Sequence, residues 1–274
     1  MEYTAEVAIG LRRDVRTSLS YALSKLTKPL ETPKILKYVV VKPSIYDPKL
    51  VGNTNPNVVK AVICSFKFLG TIYVVESDNP LRKASNAFTD CGYDNLAEER
   101  VKLVNLSEEQ TKRIEMPGHY FRDHPIPMLL QNGYVLINVP TVKLEPEKIT
   151  IGAGIKNLFG LLPEVNKRKY HERIDDVLID LLTIFRPHLT IVDLSKIVIG
   201  HREDGITREA GALLVGKDPV AVDAICADFF GIDPMNIPHL KMAYDLHLGE
   251  ALVDRIRVIG TEEQKAKLFE LCRL

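Results

Sequence analysis

The sequence predicts an α/β protein with a mainly parallel central sheet and helices on both of its faces. Short runs rich in Val and Ile alternate with longer amphipathic stretches, as strands alternate with helices. The strand-like runs are continuously apolar, which fits a sheet covered on both sides. A chain of 274 residues, 46% hydrophobic and 26% charged, suffices for one large domain or two interleaved lobes.

In chain order, strands are expected at 35–41, 71–75, 101–105, 133–139, 189–193, 211–215 and 255–259. Helices are expected near 15–27, 56–69, 93–100, 121–131, 172–185, 219–230, 236–246 and 262–272. No repeat, low-complexity tract or Gly/Ser linker interrupts them. The chain therefore reads as a single domain over 1–274, with the Gly- and Lys-rich stretch 141–171 as the place to cross between lobes.

Thirty-six Lys and Arg balance thirty-six Asp and Glu, which argues against a nucleic-acid coat or an anionic membrane surface as partner. No apolar run approaches the roughly 18–20 residues of a membrane span. The start of the chain, MEYTAEVAIGLRRD, shows no secretory signal. Four scattered cysteines without a CxxC spacing suit reduced thiols and a cytoplasmic location.

Ligands of open α/β sheets bind beyond the carboxyl ends of the strands. There the sequence places Lys42, then Asn53-Thr54-Asn55 before Pro56, then Glu76, Asn138, Lys143 and Asp193. Asn55-Pro56 reads as an N-cap and first helical residue, and the same helix start offers N–H groups to a carboxylate or phosphate. Three glycines within nine residues, Gly152, Gly154 and Gly160, surround Lys156 and Asn157. Their backbone allows close approach to a ligand. From Lys143 to Arg173 seven Lys or Arg outnumber four Asp or Glu, and His171 adds a group that titrates near neutrality. Lys42, Glu76, Asn138, Lys143, Lys156, Asn157 and Asp193 are expected to line one cleft.

One motif misleads. Gly211 to Lys217 fits the spacing GxxxxGK, yet the intervening ALLV is strand-like, and Asp218 stands where a phosphate loop has Ser or Thr. Asp218-Pro219 reads instead as a helix start, with Asp223 one turn inside. Seven dispersed histidines form no compact ligand set; His239 and His247 read as surface residues of one helix.

From about Tyr38 to Gly249 the chain resembles the domain of unknown function 362 family. The resemblance rests on VVVKPSIYDP, GNTNPNVVKAVI, VVESDN, AFTDCGYDNLAEE, LINVPTVK, ITIGAGIKNLFGLLPEVNKRKYH, LTIVDL and ALLVGKDPVAVDAICADFFGIDP, with Ile155 to His171 the most specific block. Two departures from the family pattern stand out: Ser44 replaces an Asn after Lys-Pro, and Leu144-Glu145 replace Thr-His after Lys143. The resemblance implies redox company, because many members are joined to ferredoxin-type cysteine clusters; this sequence has none.

Two functional expectations follow. In the first, the protein is an enzyme acting on a small phosphorylated or carboxylated metabolite. Lys42, Asn53, Thr54, Asn55, Asn138, Lys143, Lys156 and Asn157 would bind it. Glu76, Asp193 and His171 would move protons or hold a divalent metal. In the second, implied by the family, the protein binds an iron–sulfur cluster or docks a ferredoxin-type redox partner.

Overall fold

The computed structural model describes residues 3–145 and 150–273. Its strands are β1 Ala5–Gly10, β2 Tyr38–Pro43, β3 Thr71–Glu76, β4 Val101–Asn105, β5 Thr111–Glu115, β6 Asp123–Pro127, β7 Tyr134–Val139, β8 Thr141–Glu145, β9 Thr150–Gly152, β10 Leu189–Ile199, β11 Ile206–Arg208, β12 Ala212–Gly216 and β13 Ile256–Ile259. The helices are α1 Val15–Lys25, α2 Pro56–Phe66, α3 Ala84–Asp90, α4 Gly154–Asn157, α5 Ile174–Ile184, α6 Pro219–Phe229, α7 Pro238–Asp245 and α8 Glu262–Cys272.

The central sheet runs β13-β1-β12-β10-β7-β2-β3-β4. Every strand on this path points the same way except β12, which is antiparallel to β1 and to β10. The exception has a simple cause. β10 is eleven residues long, and the chain doubles straight back along it as β11 and then β12, a short return that only antiparallel strands permit. β10 also jogs in register between Asp193 and Val198, and β8 pairs across that jog. The β8–β9 pair therefore stands above the carboxyl ends of β2, β3 and β7.

Successive strand residues face opposite sides of a sheet, and this parity sorts the core. Val39, Val41, Val135, Ile137, Ile191 and Val215 pack with residues of α1 and α2. Val40, Leu136, Val192 and Leu214 pack with residues of α5 and α6 on the other side. Helices thus cover both faces. Capping follows the sequence closely: Asn55 accepts from the Asn57 N–H, Asp218 from those of Val220 and Ala221, and Thr261 forms a capping box with Gln264.

Two expected helices are replaced. Residues 121–131 instead hold β6, which pairs with β5: Pro125 and Pro127 cannot sit inside a helix, and His124 and Ile126 are buried at alternate positions. Residues 93–100 contain only a short 3₁₀ turn, Tyr93–Leu96, and the α-helix lies earlier at α3. β1 emerges where no strand was expected, because its partners lie more than two hundred residues away. The stretch 141–171, apart from 146–149, which lie outside the described residues, forms β8, β9, α4 and 3₁₀ turns against the central sheet.

Candidate functional site

A cleft of about 810 Å³ opens between the carboxyl ends of β2 and β3 and the segment from β8 to His171. At its floor lies a buried ion pair. Lys42 Nζ sits 2.8 Å from Glu76 Oε2, both residues being at most 3% exposed. β2 and β3 are adjacent parallel strands, which brings their carboxyl ends together. Lys42 also donates to the Pro43 carbonyl at 2.6 Å, and Glu76 accepts N–H bonds from Ile45 at 3.2 Å and Ser77 at 2.9 Å. Burial pushes the Lys42 ammonium below its ordinary range, against the pull of Glu76; Arg82 adds to the lowering. Such a pair is stable only while both partners and their further hydrogen bonds are present.

The Gly-rich loop closes over this pair. A Cβ on Gly160 would come within 2.7 Å of Lys42 Nζ and 2.8 Å of Glu76 Oε1, so only glycine lets the main chain lie there. Asn157 donates to the Lys42 carbonyl at 3.0 Å and to Asn138 Oδ1 at 2.8 Å, and Asn138 donates to the Gly154 carbonyl at 2.8 Å. From below, Asp223 accepts the N–H groups of Gly154 at 2.7 Å and Ile155 at 2.8 Å. Burial raises the Asp223 carboxyl to about 6, even though both N–H bonds favour the charged form.

Among the described residues, seven Lys or Arg and four Asp or Glu line the cleft. Lys42, Glu76, Lys143, Lys156, Asn157 and His171 are all in its wall. Lys143 pairs with Glu145, and the exposed His171 ring packs edge-on against Phe159 at 5.2 Å. The remaining expected site residues stand behind the wall and hold loops. Asn53 accepts from the Tyr46 N–H and donates to the carbonyls of Asp47 and Leu50. Thr54 Oγ1 accepts from the Ser44 N–H and donates to the Val139 carbonyl. Asp193 accepts the N–H groups of Asn55 at 2.7 Å and Ser195 at 2.8 Å, and burial raises its carboxyl. Asn138 is fully buried beneath the Gly-rich loop.

Arg82, Arg202 and Lys167 are among the cleft residues absent from the expected site. Arg82 donates to the carbonyls of Ser77 and Ile45 and lies 4.0 Å from Glu76. Arg202 donates to the carbonyls of Val51 and Gly52, at 2.8 and 2.5 Å. Lys167 is 8% exposed and donates to Ser77 Oγ and to the Asp78 carbonyl, both at 3.0 Å. Its sequence signal was weak, one lysine among four basic residues in NKRKYHER. His239, expected at the surface, is buried and lies 3.1 Å from Asp175.

A model of the domain of unknown function DUF362 matches residues 39–228, a segment that contains every residue lining the cleft. The chain belongs to the DUF362 family. It is also 31% identical over 126 residues to a thylakoid-associated protein of Synechocystis, an alignment covering 42% of this chain and 37% of that protein. The chain therefore matches well under two thirds of that relative's length.

The cysteines of this DUF362 protein do not fit the cluster that accompanies many members. Cys226 and Cys272 are buried in one core and Cys91 packs against the other, across the sheet, while Cys64 is exposed. Burial pushes the Cys226 thiol well up and the Cys272 thiol to about 12. Among the described residues no group of three or more His, Cys, Asp or Glu is placed to hold a metal ion. No helix among them is long and apolar enough to cross a membrane.

Proposed function

We propose that this DUF362 protein is an enzyme that binds a small phosphorylated or carboxylated metabolite in the cleft over the Lys42–Glu76 pair. The observation that carries this reading is the cation excess of the cleft wall, where among the described residues seven Lys or Arg stand against four Asp or Glu. Cations that share a cleft repel one another, and a bound anion relieves that repulsion while it gains charge-assisted hydrogen bonds. Glu76, fixed by Lys42 and by two backbone N–H groups, supplies a carboxylate at the floor, and His171 at the rim supplies a group for proton transfer. Four free cysteines suit a reducing compartment such as the cytoplasm.

Calorimetric titration of phosphorylated and carboxylated metabolites tests the reading. Lys156→Met keeps much of the side chain's length and removes its charge, so anion affinity should fall by about 1.5–3 kcal/mol, the scale of a hydrogen bond to a charged group. Equal affinity in the two proteins would remove Lys156 from the site, and absence of any anion binding by the wild type would overturn the proposal.

A further inference from the structure

Ser77 is the first residue beyond β3, and its main chain is held on both sides. Its N–H donates to Glu76 Oε1 at 2.9 Å, and its carbonyl accepts from the Arg82 guanidinium. The side chain of Lys167 arrives from the opposite wall of the cleft and places Nζ 3.0 Å from Ser77 Oγ. Both residues line the open volume while each is less than 10% exposed.

We propose that Ser77 and Lys167 form a nucleophile–base dyad for acyl transfer, acting on carboxylic esters or thioesters that also carry a negative charge. The proposal rests on the anion-binding reading only for the charge on the substrate; the dyad itself stands on the Ser77–Lys167 geometry. A hydroxyl becomes a competent nucleophile when a base within hydrogen-bond reach is itself oriented by a third group. The Asp78 carbonyl, 3.0 Å from Lys167 Nζ, is that third group. A neutral amine has N–H groups and one lone pair: one N–H goes to Asp78 O, and the lone pair faces the Ser77 hydroxyl proton. The neutral amine is within reach near neutrality. Burial foremost, with Lys42 and Arg82 close by, holds the Lys167 ammonium down to about 8, although Glu76 and Glu164 pull the other way. A lysine desolvated beside other cations is a recurrent way to make a usable base.

The chemistry balances with water as the second substrate. Ser77 Oγ bonds to the acyl carbon as its proton passes to Lys167 Nζ, and the carbonyl electron pair moves onto oxygen. Collapse breaks the bond to the alcohol or thiol, which leaves with the proton from Lys167. Water then attacks the acyl-serine, gives one proton through Lys167 back to Ser77 Oγ, and releases the carboxylic acid. The cations of the cleft wall favour both the charged substrate and the oxyanion that develops.

An alkyl fluorophosphonate is the probe. Its phosphorus bonds to an activated serine oxygen, fluoride leaves, and the base takes the proton. Mass spectrometry of the wild-type chain should place one adduct on the peptide containing Ser77, a result that needs no variant to fold. Ser77→Ala should remove the adduct, and Lys167→Met should slow labelling by about 100-fold or more, the usual range for losing a general base. The wild-type labelling rate should climb through pH 8 and lose that climb in Lys167→Met. A 4-nitrophenyl ester bearing a free carboxylate should be hydrolysed with the same pattern. An unmodified Ser77 at pH 9, or equal labelling with and without Lys167, overturns the dyad. Titration with inorganic phosphate separates the two proposals. Phosphate binding without labelling leaves the anion site and removes the dyad; labelling without phosphate binding does the reverse.

Discussion

Two groups of buried polar residues occupy the same edge of the sheet and do different work. Around an open volume, Lys42 bonds to the Glu76 side chain and Lys167 to the Ser77 side chain, in addition to the backbone bonds each pair makes. Thr54, Asp193, Asn138 and Asp223 are linked mainly to main-chain N–H and C=O groups and, with the half-buried Asn55 at the start of α2, fix the paths of two loops. Burial is similar in both groups, so burial does not tell a site from a support. What tells them apart is whether a charge, besides its backbone partners, also meets another side chain that faces solvent-accessible space. A carboxylate saturated by N–H groups has no remaining task to offer a ligand, whereas the Lys42–Glu76 pair lies under a cleft that a ligand can enter.

The largest effect that could break this distinction is expected at the ion pair. Glu76→Gln leaves Lys42 buried without its counter-charge, which should cost about 3–5 kcal/mol. Adding Lys42→Met should recover much of that loss, because a matched apolar substitution removes both charges together. Urea unfolding of the two single variants and the double variant measures the coupling. Additive losses would show that the two side chains do not depend on each other, and the site would lose its floor.

On the supporting side, Asp223 should reveal itself through pH. Burial raises its carboxyl to about 6 in the folded protein from an ordinary value of 3.8, so folding favours the protonated form. The stabilisation is therefore complete below about pH 4 and is lost as pH rises through about 6, a swing of about 3 kcal/mol for a shift of this size. Other buried carboxyls contribute their own slopes, so the quantity to measure is the difference between wild type and Asp223→Asn across pH 4 to 7. That difference should vary over the window and level off above it. A constant difference would mean that Asp223 titrates in the folded protein as it does in the unfolded chain.

Between the two groups lies Gly160, where the loop held by the second rests on the ion pair of the first. Gly160→Ala forces a methyl group against Lys42 and Glu76. The expected destabilisation is about 1–3 kcal/mol, typical of overpacking. If the cleft is the site, anion affinity should fall in the same variant. Loss of stability with unchanged affinity would separate the ion pair from ligand binding.

Much of this was legible in the sequence, and the limits are physical. Continuous Val/Ile runs located the seven expected strands, because a doubly covered parallel sheet demands them. β1 and the β5–β6 pair were missed for different reasons: β1 is defined by partners distant in the chain, and β5 is mostly exposed and carries little apolar signal. The edge at which polar residues gather was readable, yet the side of the sheet each one faces was not. Lys42 follows Val40 and Asn138 follows Leu136 in parity, toward the Gly-rich loop, whereas Asp193 follows Ile191 toward α2. A two-residue period assigns faces only when the register of the strand end is known. Lys167 was hidden for another reason, since a run of basic residues looks solvated until the fold shows which one turns inward.

The smallest prediction tests the supporting group directly. Asn55 caps α2: its side chain accepts the Asn57 N–H at 2.9 Å, and its own N–H is taken by Asp193. Asn55→Ala removes the first bond and keeps the second, because Asp193 accepts the main-chain N–H of Asn55. The loss should be about 1 kcal/mol, the usual value of an N-cap side chain. The more telling outcome concerns binding. Helix N-termini attract anions, so if the start of α2 held the ligand, removing its cap would disturb affinity along with stability. In the structure that helix start is already occupied by the Asp193 carboxylate, a protein anion in the place a ligand would take. Asn55→Ala should therefore unfold earlier in urea while binding the same anion with the affinity of the wild type, and a matching drop in affinity would move the ligand from the Lys42–Glu76 cleft to the start of α2.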